Sequence, residues 1–366
     1  MILADEMCQV LAAPSDIGEN HLRRREMKHK GRIVVVLIVM VMAFVVVSAL
    51  KVRTQLRCEG FPGSGVTAGE LPPPSSTDTV RVALWNIRNF PLDQRPQDPD
   101  LGFSRRTNIC DLEDALHGLD ADVIGFEEII DTQRFGQILK RAGDNRKYRL
   151  VFGSYGGRHN QMIGLAWDDD RIEMVGKFEE IAGVAVTQGY KPALVATFRT
   201  RQDPPLEFTV IQVHLAAAPR GFSHRRQQYR ALIDWIDENA LGAERANLIV
   251  QGDFNVTGWE GGSQAEELAM LDGLMQGAGL RRSPNSSGCT EYWEGGGRWD
   301  GVQVPSLLDL VYLKGFEDHQ VTSPQSWLHC KRHNCGELVS EAGQEDGTFW
   351  DVSDHCPVTF EISPGS

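Results

Sequence analysis

Positive charge is in short supply along most of this 366-residue chain. Residues 1–60 hold nine Lys/Arg against six Asp/Glu, so the other 306 residues carry −16 and the whole chain −13. Such a body repels polyanions at long range, which excludes affinity for phosphate by bulk charge alone. Phosphate binding would need local Arg/Lys clusters or bound cations, and a metal cofactor is the expectation. No internal repeat is apparent. What is present is ordinary: 41% apolar and 24% charged residues allow a sizeable core. The length allows two average domains or one large layered α/β unit.

Residues 1–32 show no periodic apolar pattern and end in Arg23-Arg24-Arg25, Lys28, Lys30 and Arg32, a basic tail. Ile33 to Leu50 is an apolar run of 18 residues with Ser48 its one polar member, enough to cross most of a hydrocarbon layer as a helix. Six basic residues precede it and three follow, which predicts a single-pass topology with the N-terminus cytoplasmic and the rest extracytoplasmic. A cleaved signal peptide is the competing reading, because Val47-Ser48-Ala49 is a passable cleavage site. Residues 51–78, rich in Gly, Pro and Ser, read as a flexible linker, and a domain over 79–362 follows.

Cys8 lies in the tail and Cys58, Cys110, Cys289, Cys330, Cys335 and Cys356 beyond the apolar run. An even number there is compatible with disulfides, and Cys330 with Cys335 could close a small loop. The alternative is a zinc site from His329, Cys330, His333 and Cys335, although those spacings match no common zinc module.

From Thr79 onward strands and helices alternate. The pattern predicts helices over 105–119, 134–142, 223–238 and 263–275, and strands from Val80 to Cys356–Ile362. Consecutive strands in the middle argue against a simple doubly wound sheet and for a two-sheet core with helices outside.

Several strands end in polar residues. Leu248-Ile249-Val250 runs into Gly252-Asp253-Phe254-Asn255; Val80 to Trp85 ends in Asn86-Ile87-Arg88; Asp122 to Phe126 ends in Glu127-Glu128; Phe208 to Val213 runs into His214; Asp354-His355 opens the last strand. Singly, each has a structural explanation, such as an Asp/Asn turn or a satisfied core imidazole. Together they place carboxylates, carboxamides and imidazoles at sheet rims, which parallel neighbours would bring to one crevice. Asp309 differs in kind: its neighbours Leu307, Leu308, Leu310 and Val311 call for burial, so its carboxylate needs a partner, most naturally an imidazole. Oxygen donors suit Mg²⁺, Mn²⁺ or Ca²⁺ rather than zinc, and beside imidazoles they suit phosphate chemistry.

These pieces, with Lys191-Pro192-Ala193, Leu308-Asp309 and Ser353-Asp354-His355-Cys356-Pro357, fall in an order that resembles the endonuclease/exonuclease/phosphatase superfamily, in its deoxyribonuclease I branch, over about residues 79–362. The resemblance implies a four-layer α/β sandwich of two mixed β-sheets flanked by helices, and a divalent-cation-dependent phosphoesterase. It implies Asn86, Glu128 and Asp354 as metal-site residues, with Glu127 the lesser candidate. Asp253 and Asn255 would orient the attacking water and bind the scissile phosphate. His355 paired with Asp309 would be the general base or transition-state stabiliser, and His214 a phosphate ligand or general acid. Arg88 and Lys191 fall at substrate positions. Where the branch supports its second histidine with Tyr and Glu, this chain reads Arg158-His159-Asn160-Gln161, and Glu128 is followed by Ile129-Ile130-Asp131, without the Arg that helps grip DNA.

The leading expectation is a membrane-anchored, Mg²⁺-dependent endonuclease acting on nucleic acid. Arg220, His224, Arg225, Arg226 and Arg230 would form a local basic rim, unless they simply face solvent on a helix. The same core on a phospholipid, sphingolipid or small phosphate ester is the second expectation, and an inactive binding module the third.

Overall fold

The computed structural model describes residues 65–91, 93–94, 105–143, 146–239, 247–294, 301–339 and 346–363, all within a compact unit spanning Pro62–Ser366. The basic tail, the apolar run 33–50 and the linker as far as residue 64 lie outside the described residues. Among the described residues no helix is long and apolar enough to cross a membrane.

Strands β1 (Val80–Phe90), β2 (Val123–Ile129), β3 (Tyr148–Phe152) and β4 (Met162–Asp168) belong to the first sheet. The second holds β5 (Ile172–Ile181), β6 (Ala193–Thr200), β7 (Glu207–His214), β8 (Leu248–Asp253) and β9 (Asp309–Lys314). The last strand, β10 (Val358–Ile362), returns to the first sheet, where it pairs antiparallel with β1. The first sheet runs β10-β1-β2-β4-β3 and the second β9-β8-β7-β6-β5, each extended past its first strand by a two-residue edge strand, Gln325–Ser326 and Arg281–Arg282. One pair in each sheet is parallel, β1 with β2 and β7 with β8; the other pairs are antiparallel. Both sheets are therefore mixed.

Helices α1 (Ile109–Leu119) and α2 (Thr132–Ala142) cover the outer face of the first sheet, packing Leu116, Leu119, Phe135 and Ile138 on Ala83, Trp85 and Phe126. Helices α3 (Phe222–Glu238) and α4 (Gln264–Gly277) cover the second, packing Tyr229, Leu232, Leu271 and Met275 on Ile211, Val213 and Val250. Between the sheets lie Val82, Leu84, Val123, Leu165, Phe198, Phe208, Val210, Ile249 and Val311. These are the four layers that the resemblance implies.

Helix α1 starts at Ile109 rather than Arg105, because the Asn108 side chain accepts from the backbone N–H of Cys110 and Asp111 and caps it there. Residues 65–78 are not a free linker: the backbone N–H of Gly65 donates to Asp111 at 2.8 Å, Glu70 pairs with Arg332, and the backbone N–H of Ser75 donates to Asp120 at 2.9 Å. The body therefore begins before Thr79.

The cysteines pair as Cys289–Cys335 and Cys330–Cys356, and Cys110 is also disulfide-bonded. The Cys330–Cys335 loop expected from sequence proximity does not form, because the short helix His329–Arg332 turns Cys330 toward the last strand. The zinc alternative falls with it, since a thiol held in a disulfide supplies no thiolate.

Candidate active site

Alternation along the strands builds the site. On β1, β2, β7, β8 and β9 the inward positions are apolar at one end and polar at the other: Val82 and Leu84 then Asn86; Val123 then Glu127; Phe208 and Val210 then Gln212 and His214; Ile249 then Gln251 and Asp253; Leu313 and Val311 then Asp309. Strand register aligns these ends. Asp253 pairs with His214 on one side and Asp309 on the other, and Asn86 with Glu127 in the facing sheet. The crevice is the end of the inter-sheet core, where hydrocarbon gives way to hydrogen-bonding groups.

Beneath it lies a buried polar layer. Gln212 Nε2 donates to Glu127 Oε1 at 2.5 Å, Gln251 Nε2 donates to Gln212 Oε1 at 2.9 Å, and the backbone N–H of Asp253 donates to Glu127 Oε1 at 3.2 Å. Gly125 makes room, for a Cβ there would sit 1.8 Å from Gln212 Oε1. Burial, with Asp309 and Asp253 adding, pushes the Glu127 carboxyl well above its usual range. Glu127 is thus a structural group, and Glu128 faces the crevice. Glu128 stands at φ 62°, a left-handed conformation that costs a non-glycine residue about 1–2 kcal/mol. Its Oε2 accepts from the backbone N–H of Asn89 at 2.9 Å and its Oε1 lies 3.4 Å from Asn86 Nδ2.

Asp253 Oδ2 is the hub. Asn86 Nδ2 donates to it at 3.0 Å and Asn255 Nδ2 at 2.9 Å; His214 Nε2 lies at 3.6 Å and His355 Nε2 at 3.9 Å. Burial pushes the Asp253 carboxyl up to about 7, with His355 opposing and Asp309 adding. His355 Nδ1 meets Asp309 Oδ2 at 2.8 Å. Burial works against charge on that ring, but the Asp309 carboxylate outweighs it and holds the imidazole well above its ordinary pKa. The Lys191 ammonium, which can only donate, lies 3.0 Å from His214 Nδ1 and 3.5 Å from Nε2; the shorter contact favours the tautomer in which Nδ1 accepts and Nε2 carries the proton, 3.6 Å from both Glu128 and Asp253. Burial and the Lys191 charge both lower the His214 pKa, so the ring is neutral.

Arg88 donates through Nη2 to the Trp350 carbonyl at 2.8 Å and lies 3.6 Å from Asp354, where it braces the last loop. Ser353 Oγ donates to the Asn86 carbonyl at 2.7 Å and accepts from the backbone N–H of His355, seating Asp354 and His355 beside β1. Asn86 Oδ1 is buried and accepts no hydrogen bond among the described residues. An orphaned carbonyl oxygen next to Glu128 and Asp253 is what a hard cation would satisfy, so the donor set fits Mg²⁺ or a similar ion.

Sequence reasoning missed two contributors, Thr290 and Glu291, and placed a third, His329, in a zinc site instead. Thr290 Oγ1 accepts from the backbone N–H of Leu308 and of Asp309, both at 3.0 Å, and so aims Asp309. His329 is buried, its ring nitrogens 3.2 Å from Thr348 Oγ1 and 3.3 Å from the Asp354 carbonyl, and burial lowers its pKa to about 4 with Asp346 opposing. Glu291 bridges to His355 through the backbone, and its carboxyl is buried beside the same cluster. Burial lifts it to about 8, His355 opposing and Asp354, Asp253 and Asp309 adding, so it carries a proton at neutral pH. The argument applied to Asp309 would have found it, since Cys289 and Tyr292 beside it also call for burial.

The fold resembles that of TDP2 and Nocturnin. D. rerio TDP2, solved with a single-strand DNA product, is 18% identical, with 78% of this chain and 99% of that one covered and a TM-score of 0.52. The human Nocturnin catalytic domain with bound sulfate is 16% identical over 78% and 94%, with a TM-score of 0.50. An endonuclease/exonuclease/phosphatase family protein from Bacteroides thetaiotaomicron is 14% identical over 81% and 100%, at 0.49. At such identities the first two establish a shared fold and nothing finer. No family model matches the sequence, and no curated protein does.

Of the basic rim expected near His214, Arg225 is not part. It is fully buried, bonded through Nε and Nη2 to Glu267 at 2.7 Å, and through its other donors to the carbonyls of Ala216, Ala218 and Gly258. Arg226 and Arg230 are exposed on α3, whereas Arg220 and His224 line a cleft of about 730 Å³ that opens from Glu128, Lys191 and His214.

Proposed function

We propose that the chain is a divalent-cation-dependent phosphodiesterase that cleaves nucleic acid internally by in-line attack of water. One observation carries it: a buried carboxylate poised near neutrality, Asp253, lies within 4 Å of two imidazoles, one held protonated by Asp309 and the other neutral. Asn86 and Glu128, with Asp354, would hold the cation, which supplies Lewis-acid neutralisation of phosphoryl charge. Asp253, with a pKa near the working pH, orients water and takes its proton. As the bond from phosphorus to the leaving oxygen breaks, the imidazolium of His355 gives that oxygen its Nε2 proton, and Nε2–H of neutral His214 donates to charge that develops on the phosphoryl oxygens. Asn255 holds Asp253 in place at 2.9 Å.

The full chain incubated with supercoiled plasmid and Mg²⁺ should convert it to nicked and linear forms, and EDTA should stop the conversion. Intact plasmid at equal protein, with Mg²⁺ or Mn²⁺ present, removes this reading; release of headgroup phosphate from phospholipid or sphingolipid instead transfers the chemistry to that substrate.

We also propose an extracytoplasmic position, held by the apolar run 33–50. The disulfides support it, since such bonds persist in oxidising compartments. Carbonate-washed membranes should retain the protein, with its catalytic body open to protease added outside. Recovery in the wash sinks the anchor.

A further inference from the structure

Charge is distributed unevenly around the cleft that opens from the site. Among the described residues its lining contains Arg158, Lys191 and Arg220 with His159, His214 and His224, against a single carboxylate, Glu128. The body around it carries a large acidic excess. Lys191 and His214 are spoken for, since they satisfy one another on the floor. Arg158 and Arg220 are not: both line the cleft, and neither has a carboxylate partner among the described residues. Arg158 follows β3 and is fixed by its backbone, whose N–H donates to the Gly189 carbonyl at 3.3 Å. Arg220 sits in the turn Pro219–Gly221 that leads into α3, and that turn is fastened from below by the buried Arg225. Tyr190 also lines the cleft, its Oη 3.2 Å from His224 Nδ1.

Two exposed guanidiniums with rigid backbones and no acid to neutralise them are placed for an anion with several acceptor oxygens. The reacting phosphate does not account for them, because Glu128, Asp253, His214 and His355 surround its position at the inner end. A volume of about 730 Å³ also exceeds one phosphate and suits a substrate of one or two nucleotides.

We propose that Arg158 and Arg220 form a second phosphate subsite, so that the preferred substrate is a nucleic acid segment that presents another phosphate next to the bond being cleaved. The proposal rests on the phosphodiesterase reading and names its substrate class. His224 and His159 line the cleft with this subsite, and the Tyr190 ring packs against that of His224 with 4.9 Å between centroids.

The test uses thymidine dinucleotides with and without a terminal phosphate at the 5′ or 3′ end, titrated calorimetrically into the full chain in chelator, so that nothing is turned over. The wild-type protein should bind at least one phosphorylated form about tenfold or more tightly than the unphosphorylated one, the worth of one or two charge-assisted hydrogen bonds. The pair Arg158→Ala with Arg220→Ala should lose that preference, and Arg158→Lys with Arg220→Lys should recover part of it. Equal affinity for all forms in the wild type, or an unaltered preference in the alanine pair, overturns the subsite. Cleavage of plasmid without any such preference leaves the phosphodiesterase reading intact and removes this one. Arginine-dependent binding in a protein that cleaves nothing does the reverse.

Discussion

Asp309→Asn is expected to lower kcat by between about a hundredfold and ten-thousandfold while KM changes little, because the carboxylate acts through His355 and touches no substrate. The reasoning has a sign. In the native protein burial discourages charge on His355 and Asp309 restores it, so the ring keeps its proton across the neutral range. Asparagine removes the restoring charge and leaves the burial, so the folded-state pKa falls. Residual activity of the variant should therefore decline as pH rises through the ordinary imidazole range, where the wild type gains activity as Asp253 loses its proton. A kcat within threefold of wild type, or a pH profile without that added decline, means that the pair is architectural and that the protonated-imidazole role is wrong.

Glu267→Ala should have the largest effect on stability. Glu267 and Arg225 are both fully buried, and the pair is bidentate at 2.7 Å. Glu267 also accepts from Tyr229 Oη at 2.9 Å and from the backbone N–H of Gly258 at 2.8 Å. Removing the carboxylate strands a guanidinium in the interior, which costs about 3–5 kcal/mol, or about 10 °C in the melting temperature of a body this size. The combination of Arg225→Met with Glu267→Leu should recover a good part of that loss, since neither charge is then left alone. Activity should not recover with it. Arg225 ties the segment after His214 to the turn at Gly258, two sides of the site, and methionine cannot hold three carbonyls. Loss of less than about 1 kcal/mol on Glu267→Ala in a chemical denaturation series rules out this role.

Much of the site could be read in the sequence because it obeys a period of two. The apolar residues that place β1, β7 and β8 in the core also dictate that Asn86, His214 and Asp253 point the same way. Asp309 was legible for the same reason, as one carboxylate in a buried strand. Arg225 was misread, although its phase was visible: it shares a face with Tyr229, Leu232 and Ile236, four, seven and eleven residues on, and all three are buried. Basic neighbours drew attention away from that stripe. The disulfides were not legible, since nearness in sequence does not imply nearness in space: Cys335 reaches back 46 residues to Cys289 instead of five to Cys330. Residues 65–78 were misjudged because composition argues only that a segment lacks a core of its own; here Gly65, Glu70 and Ser75 are held by partners that the body supplies.

The absence of a side chain at Gly125 has a wider meaning. Just below the crevice the two sheets are joined by amide and carboxyl groups of Gln212, Gln251 and Glu127 rather than by interleaved hydrocarbon. Hydrocarbon contacts tolerate a small slide; directional bonds between groups with no access to solvent do not. The sheets are thus keyed to one another at the level of the reacting groups, and any change to one member of the key, a methyl group at position 125 included, would have to be answered by its partners together.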